Sequence, residues 1–534
     1  MNNSIYNIDL HHFPLGQPLL PERAKVVFQK TRFNLRQSQK ARDRLSLAWN
    51  LLDMAAIQRI QNRLEGSIQA LDEAKAIFEL LDEKFGLAMV YQEYAVVYRE
   101  MKRHSMFFDY ANKAFSLLQT LKQPQELGWS HLHLAMALLD RNEYIDSLNH
   151  LKRAQAIFSE FQNRFGVAWS FFLMGKIFKT QRIIDQAEEH LNKALKCFST
   201  SAPDSLGKAE CLLASAEIEI LQEKFESALS LLDQAKEGFQ EQDVKDKLAW
   251  IDLRKAEILF HKNEKQALTS CNRTLISFRA LRDSNGAAFA YYQRAGFFRK
   301  IGEPLKAWED LRIAVRFHTD NSQLLDLMFD FREIAFVQFE LNEIMYAHES
   351  LDKAIKIAHD LKLTYWITHL STIKALMQMI SNQWTGEVGS LNPNDPYQKK
   401  FQLRAALLSN NTSLVESMLA IEKSTHFQDE LEPEYYLELG FSLWMTGQTD
   451  FALENWKLAF SKSEFPRYST KKAEAALLLY LYSDEAEYRD LAKVEKTIKA
   501  SNSRRLKEKI ILFKNKKGFD KNNKMIINSI ISPL

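Results

Sequence analysis

The 534-residue chain is 46% hydrophobic and 26% charged, with 16 Gly, 11 Pro and a formal net charge of +3. So few helix breakers suit long helices joined by short turns and exclude a sandwich or barrel, while the length exceeds one compact core and counts repeats instead. No stretch approaches the roughly 18 to 20 apolar residues that span a bilayer, and the most apolar run, Ala475 to Tyr482, matches a buried helix face. Cys197, Cys211 and Cys271 are widely spaced, which favours reduced packing residues over a disulfide or metal framework.

Residues 1–40 read as a lead-in and a capping helix. Met1 to Leu20 is polar and broken by Pro14 and Pro18, without the basic start and apolar run of a secretory signal, so a cytoplasmic location is expected. Pro21 to Lys40 is helix-compatible and basic, suited to covering the apolar face of a first repeat.

Residues 41–381 carry a small-residue ladder with a 40-residue period: Ala55, Ala95, Ala135, Gly175, then one residue late Ala216 and Ala256, then Ala295, Ala335 and Ala375. Two columns keep step with it. Twelve residues on stand Ser67, Phe107, Ser147, Ala187, Ala228, Ala267, Ala307 and Ala347. Nineteen residues on stand Ala74, Ala114, Ala154, Ala194, Ala235, Thr274, Ala314 and Ala354. Small residues at a fixed period let each helix sit close against the next, so the expected architecture is a stack of about eight to nine helix pairs. The one-residue slip predicts a local insertion, later compensated, between about residues 200 and 260.

Residues 382–396, NQWTGEVGSLNPNDP, collect turn formers and read as a joint. Further helix pairs are expected over 397–500. Residues 501–534 form a basic tail with nine Lys or Arg against Glu508 and Asp520.

The column spacing resembles that of the tetratricopeptide repeat (TPR), with Ala95, Phe107 and Ala114 in one unit and Ala295, Ala307 and Ala314 in another. The family's usual period is 34 residues; the longer one is similar to the repeats of kinesin light chains, spindle-orientation adaptors and some bacterial regulators. Tyr436, Leu439, Gly440, Gly447, Ala452 and Ala459 match the ordinary 34-residue pattern. The resemblance implies an all-α fold, a right-handed α-solenoid of antiparallel helix pairs whose concave groove is lined by the first helix of each pair.

In that geometry the second position of each first helix faces the groove, and the column there reads Trp49, Met89, Trp129, Trp169, Glu210, Trp250, Phe289, Phe329 and His369. Rings at such positions offer large, stiff contact area. Packing between repeats is the competing use of the same stripe. Ten positions locked in the same frame read as partner-binding: Trp49, Trp129, Trp169, Trp250, Phe289 and Phe329, with Arg59, Arg99, Lys179 and Arg299 orienting acidic groups.

Signals of catalysis are missing from the text. Gly175-Lys176 lacks the upstream glycine and following Ser or Thr of a phosphate loop, and the histidines have no ligand spacing. No catalytic residue, metal or cofactor is expected. The leading expectation is a non-enzymatic scaffold or adaptor that binds a peptide segment of another protein in the groove. One alternative is a sensor module responding to a short peptide or small ligand. Another is association with nucleic acid through the basic ends.

Overall fold

The computed structural model describes residues 21–380 apart from 62, 102, 202, 203, 242, 243 and 322. It also describes 433–500 apart from 446, 464–468, 484, 486 and 489, and then 506, 507, 509–511 and 530. Among these residues there is no strand. The lead-in 1–20, the joint at 382–396, the helices expected over 397–424 and most of the tail lie outside the described residues.

Two compact units divide at Ile251 and Asp252. Unit 1 opens with α1 (Pro21–Ala41) and continues as pairs: α2 (Arg44–Ile60) with α3 (Leu64–Leu80), α4 (Lys84–Glu100) with α5 (His104–Leu118), and α6 (Pro124–Asp140) with α7 (Tyr144–Glu160). Next come α8 (Arg164–Thr180) with α9 (Ile184–Lys196), then α10 (Ser205–Leu221) with α11 (Phe225–Glu241). The division falls inside α12 (Lys245–Phe260). Unit 2 continues with α13 (Glu264–Ala280), α14 (Ser284–Lys300), α15 (Pro304–Asp320), α16 (Leu324–Glu340), α17 (Ile344–Asp360) and α18 (Thr364–Ile380). It ends with α19 (Pro433–Met445), α20 (Thr449–Lys462), α21 (Ser469–Tyr482) and α22 (Leu491–Ala500). The fold is an all-α solenoid of antiparallel helix pairs.

The 40-residue period has a plain origin. Most array helices are 17 residues long and most turns between them are three, so helix, turn, helix, turn closes one unit. Eight of the turns share one build. Asp82, Asn142, Gln162, Arg182, Glu223, Arg282, Asn342 and Lys362 adopt left-handed backbone, φ 51° to 62°, in the middle of the turn. The next N–H then reaches back over the helix end: Glu83 donates to Phe78 O at 2.9 Å, Asn163 to Phe158 O at 2.8 Å and Asp283 to Phe278 O at 2.9 Å. These are the closing bonds of a Schellman stop, which satisfy carbonyls the helix end leaves open.

All three small-residue columns are buried except Ala375, which is half-buried. Two serines in the second column show why size matters there: Ser67 Oγ donates to Ala55 O at 2.8 Å and Ser147 Oγ to Ala135 O at 2.7 Å, hydroxyl against facing backbone. A bulky column sits on missing side chains. A Cβ built on Gly86, Gly166, Gly207 or Gly286 would fall 2.4, 2.5, 2.7 or 2.3 Å from the rings of Phe78, Phe158, Phe198 and Phe278.

The register slip is resolved in two places. Five residues of π-helix, Cys197–Ser201, follow α9 and widen the turn by the one extra residue. The compensating loss falls at α12, which has 16 residues instead of 17.

In the 433–500 region, Trp456 fills the space left by Gly440, whose added Cβ would lie 2.5 Å from the indole Nε1. Gly447 turns between α19 and α20 at φ +83°, and Tyr436, Ala452 and Ala459 are buried as the shorter repeat pattern requires.

Candidate protein-interaction face

First helices of neighbouring pairs touch one another directly, α2 with α4, α4 with α6, α6 with α8 and α8 with α10 in unit 1, and α14 with α16 in unit 2. This makes a continuous first-helix face within unit 1. The expected site residues divide on it into a buried set and a half-buried set.

Trp129 and Trp169 are each 2% exposed. The Trp129 ring packs 4.8 Å from Phe158 and 6.1 Å from Phe165, and Trp169 packs 5.1 Å from Phe198 and 5.4 Å from Phe172. Trp49 follows the same plan at 5.0 Å from Phe78 and stays half-buried. The recurring unit is therefore Trp on the first helix, Phe on the second and Gly at the start of the next first helix. The Trp169 Nε1–H is buried without an acceptor, a cost that the packing of its ring offsets.

Trp250, Phe289 and Phe329 are half-buried. In unit 2, Arg254 lies over Phe289 at 5.0 Å, and Arg332 lies over Phe329 at 5.4 Å while donating to Tyr292 Oη at 2.9 Å. Phe329 also meets Trp366 edge-on at 4.8 Å.

The basic column is tied into the fold. Arg59 Nε reaches Glu93 at 2.6 Å and its Nη1 reaches Glu100 at 2.9 Å. Lys179 pairs with Glu217, and Arg299 with Glu333 at 3.1 Å. Each bond joins one first helix to the next, at sequence separations of 34, 41, 38 and 34. Burial works against the Arg59 charge, but Glu93 and Glu100 outweigh it and raise its pKa. Burial likewise opposes Glu333, and Arg299 with Arg332 overcomes it, so its pKa is lowered. Arg99 is half-buried, with its guanidinium 6.0 Å from the Phe107 ring. These carboxylates escape a search of columns because the partner of each base lies off its own column, yet an acid 34 residues after a base is a readable signal.

Glu210 holds the place where neighbouring repeats carry a ring, and it binds Lys247 at 2.7 Å. Lys176, also on α8, is half-buried with its ammonium 5.7 Å from the Phe172 ring. Elsewhere the histidines pair: His131 Nδ1 lies 2.8 Å from His150 Nδ1, and His318 Nδ1 2.6 Å from Asp330. None of the three cysteines is in a disulfide, and burial pushes the Cys271 thiol up to about 12. Among the described residues no group of three or more His, Cys, Asp or Glu is arranged to hold a metal, and no helix is long and apolar enough to cross a membrane.

The fold and this face define a helical-repeat protein. No protein-family model matches the chain, and no curated protein does. Among solved structures, a Rap protein complexed with Competence and Sporulation Factor is 12% identical, with a TM-score of 0.49 over 64% of this chain and 99% of its own. The Rap conjugation gene regulator of the plasmid pLS20, in complex with a Phr peptide, is 11% identical, with a TM-score of 0.47 over 64% of this chain and 96% of its own. The apo form of RapI is 16% identical, with a TM-score of 0.43 over 52% of this chain and 99% of its own. At these identities and scores the likenesses add nothing about ligands or activity.

Proposed function

We infer that this chain is a non-enzymatic scaffold of the tetratricopeptide type, in the longer 40-residue variety, and that it takes a segment of another protein on its first-helix face. The observation that carries the reading is the half-buried part of that face in unit 2. There Phe289, Tyr292 and Phe329 keep ring area accessible beside the guanidinium groups of Arg254 and Arg332. Rings with accessible edges and fixed cations suit a segment that mixes apolar and acidic side chains. Trp129, Trp169 and Arg59 act in this reading by setting the spacing of the helices that present the face.

Affinity capture from native lysate, with wild type beside the Phe289→Ala/Phe329→Ala double variant and melting recorded for both, tests it. The double variant is expected to lose its partners while melting within a few degrees of wild type. Capture of the same partners in the same amounts overturns the assignment of this face.

A further inference from the structure

We propose that a cleft in unit 2, formed by α13, α14 and α15, is a binding site for a small aromatic monocarboxylate. The site goes beyond the interaction reading: its two walls are α13 and α15, each the second helix of its pair, and α14 is its floor.

The repeat pattern itself shows why a cleft opens here. Eight residues before each ladder residue stand Leu47, Leu87, Leu127, Val167, Lys208, Leu248, Leu327 and Ile367, but on α14 the column holds Ala287. A long side chain is missing there, and a cavity of about 390 Å³ lies over Ala287. The residue before each member of the third small-residue column is Glu73, Lys113, Arg153, Lys193, Gln234, Arg273 or Lys353, whereas on the cavity wall it is Ile313, apolar and 46% exposed. Five residues after the same column stand Glu79, Gln119, Ser159, Ser199, Gln240, Thr319 and His359, whereas the cavity has Arg279. Three departures from the repeat meet in one cavity: a side chain removed, an apolar rim gained and a cation gained.

Their chemistry selects the ligand. Phe278, Tyr291 and Phe317 line the apolar part and suit a flat ring. Arg279 Nη2 donates to Tyr291 Oη, which holds the guanidinium at the wall, 5.5 Å from that ring. Arg282, exposed in the turn between α13 and α14, is the second cation. Among the described residues neither arginine has an ion pair, and a guanidinium takes a carboxylate through paired N–H bonds. Asp283, the N-cap residue of α14, also lines the cavity, at a helix end whose dipole offsets its charge. Two cations against one carboxylate leave one positive charge in excess. That surplus suits a monoanion, and a doubly charged phosphate meets twice the repulsion from Asp283. The volume stands at the small end of ligand pockets, so the occupant is a small molecule.

The full-length chain should be titrated with 2-naphthoate and with its uncharged isostere 2-naphthamide, followed by saturation-transfer difference NMR. Naphthoate is expected to bind at least about tenfold more tightly. Ala287→Leu, which restores the side chain of the other units, should abolish binding of both ligands while melting within a few degrees of wild type. Arg279→Gln with Arg282→Gln should bring naphthoate down to the affinity of naphthamide, and Arg312→Gln, an exposed cation off the wall, should change neither. Should Ala287→Leu unfold, Ile313→Glu on the exposed rim takes its place, and it must weaken naphthoate at least about tenfold and the amide less. Binding of neither ligand, equal binding of both, or naphthoate binding that survives the filled cavity or the acidic rim overturns the site. None of these outcomes touches the Phe289 and Phe329 face, which stands or falls on its own capture experiment.

Discussion

Gly166 shows how much a single missing methyl decides. Phe158 occupies the space its Cβ would need, at 2.5 Å, and Trp129 rests on the same ring at 4.8 Å. Gly166→Ala should therefore destabilise by about 1–3 kcal/mol, as overpacking does, and Phe158→Leu in the same chain should recover part of that loss. Chemical denaturation of the two single variants and the double variant measures the coupling, and simple additivity would mean the two positions do not share space. A second residue-scale expectation concerns His131, which burial, then His150 and Arg153, hold down to about 4 from an ordinary 6.5. The unfolded chain takes up this proton first. Stability from the pair is thus complete above about pH 6.5 and is lost as pH falls toward about 4. His131→Phe should flatten the decline in melting temperature over that window, and an unchanged slope would place the acid sensitivity elsewhere. The ladder of small residues was legible in the text because burial at a fixed period leaves no other choice of size. Trp129 and Trp169 were legible as a column but not in their exposure, since a ring that looks outward from one helix pair is covered by the phenylalanine of the second helix and by the pair that follows.

At the scale of the element, period and length are the same fact, a 17-residue helix and a three-residue stop used twice. Composition and spacing predict the pairs but not the stop, because Gln162, Arg182, Glu223, Arg282 and Lys362 are not residue types that announce left-handed backbone. Among the described residues of the array turns, Gly302, at φ 80°, is the one glycine with left-handed backbone. Gln162→Gly should accordingly stabilise by about 0.5–1 kcal/mol, the left-handed penalty less the added freedom of the unfolded chain, whereas Gly302→Ala should destabilise. Thermal melts of the pair check both signs together. The π-helical turn at Cys197–Ser201 carries a matching expectation. Deleting Thr200, exposed within it, restores the 40-residue register and should shift melting by only a few degrees, because no packed face rotates. Deleting Gln186 turns the remainder of α9 by about 100° and carries Leu191 and Ala194 off the core face, so it should be far more damaging. Comparable melting of both deletions would show that the π turn is not where the extra residue is stored.

Among the described residues, the substantial contacts join helices that are neighbours or next neighbours in the chain. Stability in such a stack is a sum of local terms, and a defect should stay local. The Arg59 pairs offer the cleanest test, because Arg59 and Glu93 side chains are each 1% exposed and link α2 to α4. Arg59→Met leaves the Glu93 carboxylate buried without its cation, a loss of about 3–5 kcal/mol, and Arg59→Met with Glu93→Gln removes the stranded charge and should regain much of it. Hydrogen exchange followed by mass spectrometry should find faster exchange in α2 to α5 of the single variant, partial restoration in the double variant, and unchanged protection in α14 to α17. Faster exchange spread evenly through α17 would mean that the array opens as one cooperative body. In that case a partner held on one stretch of the first-helix face would stabilise every repeat, whereas a local response confines its effect to the helices it touches.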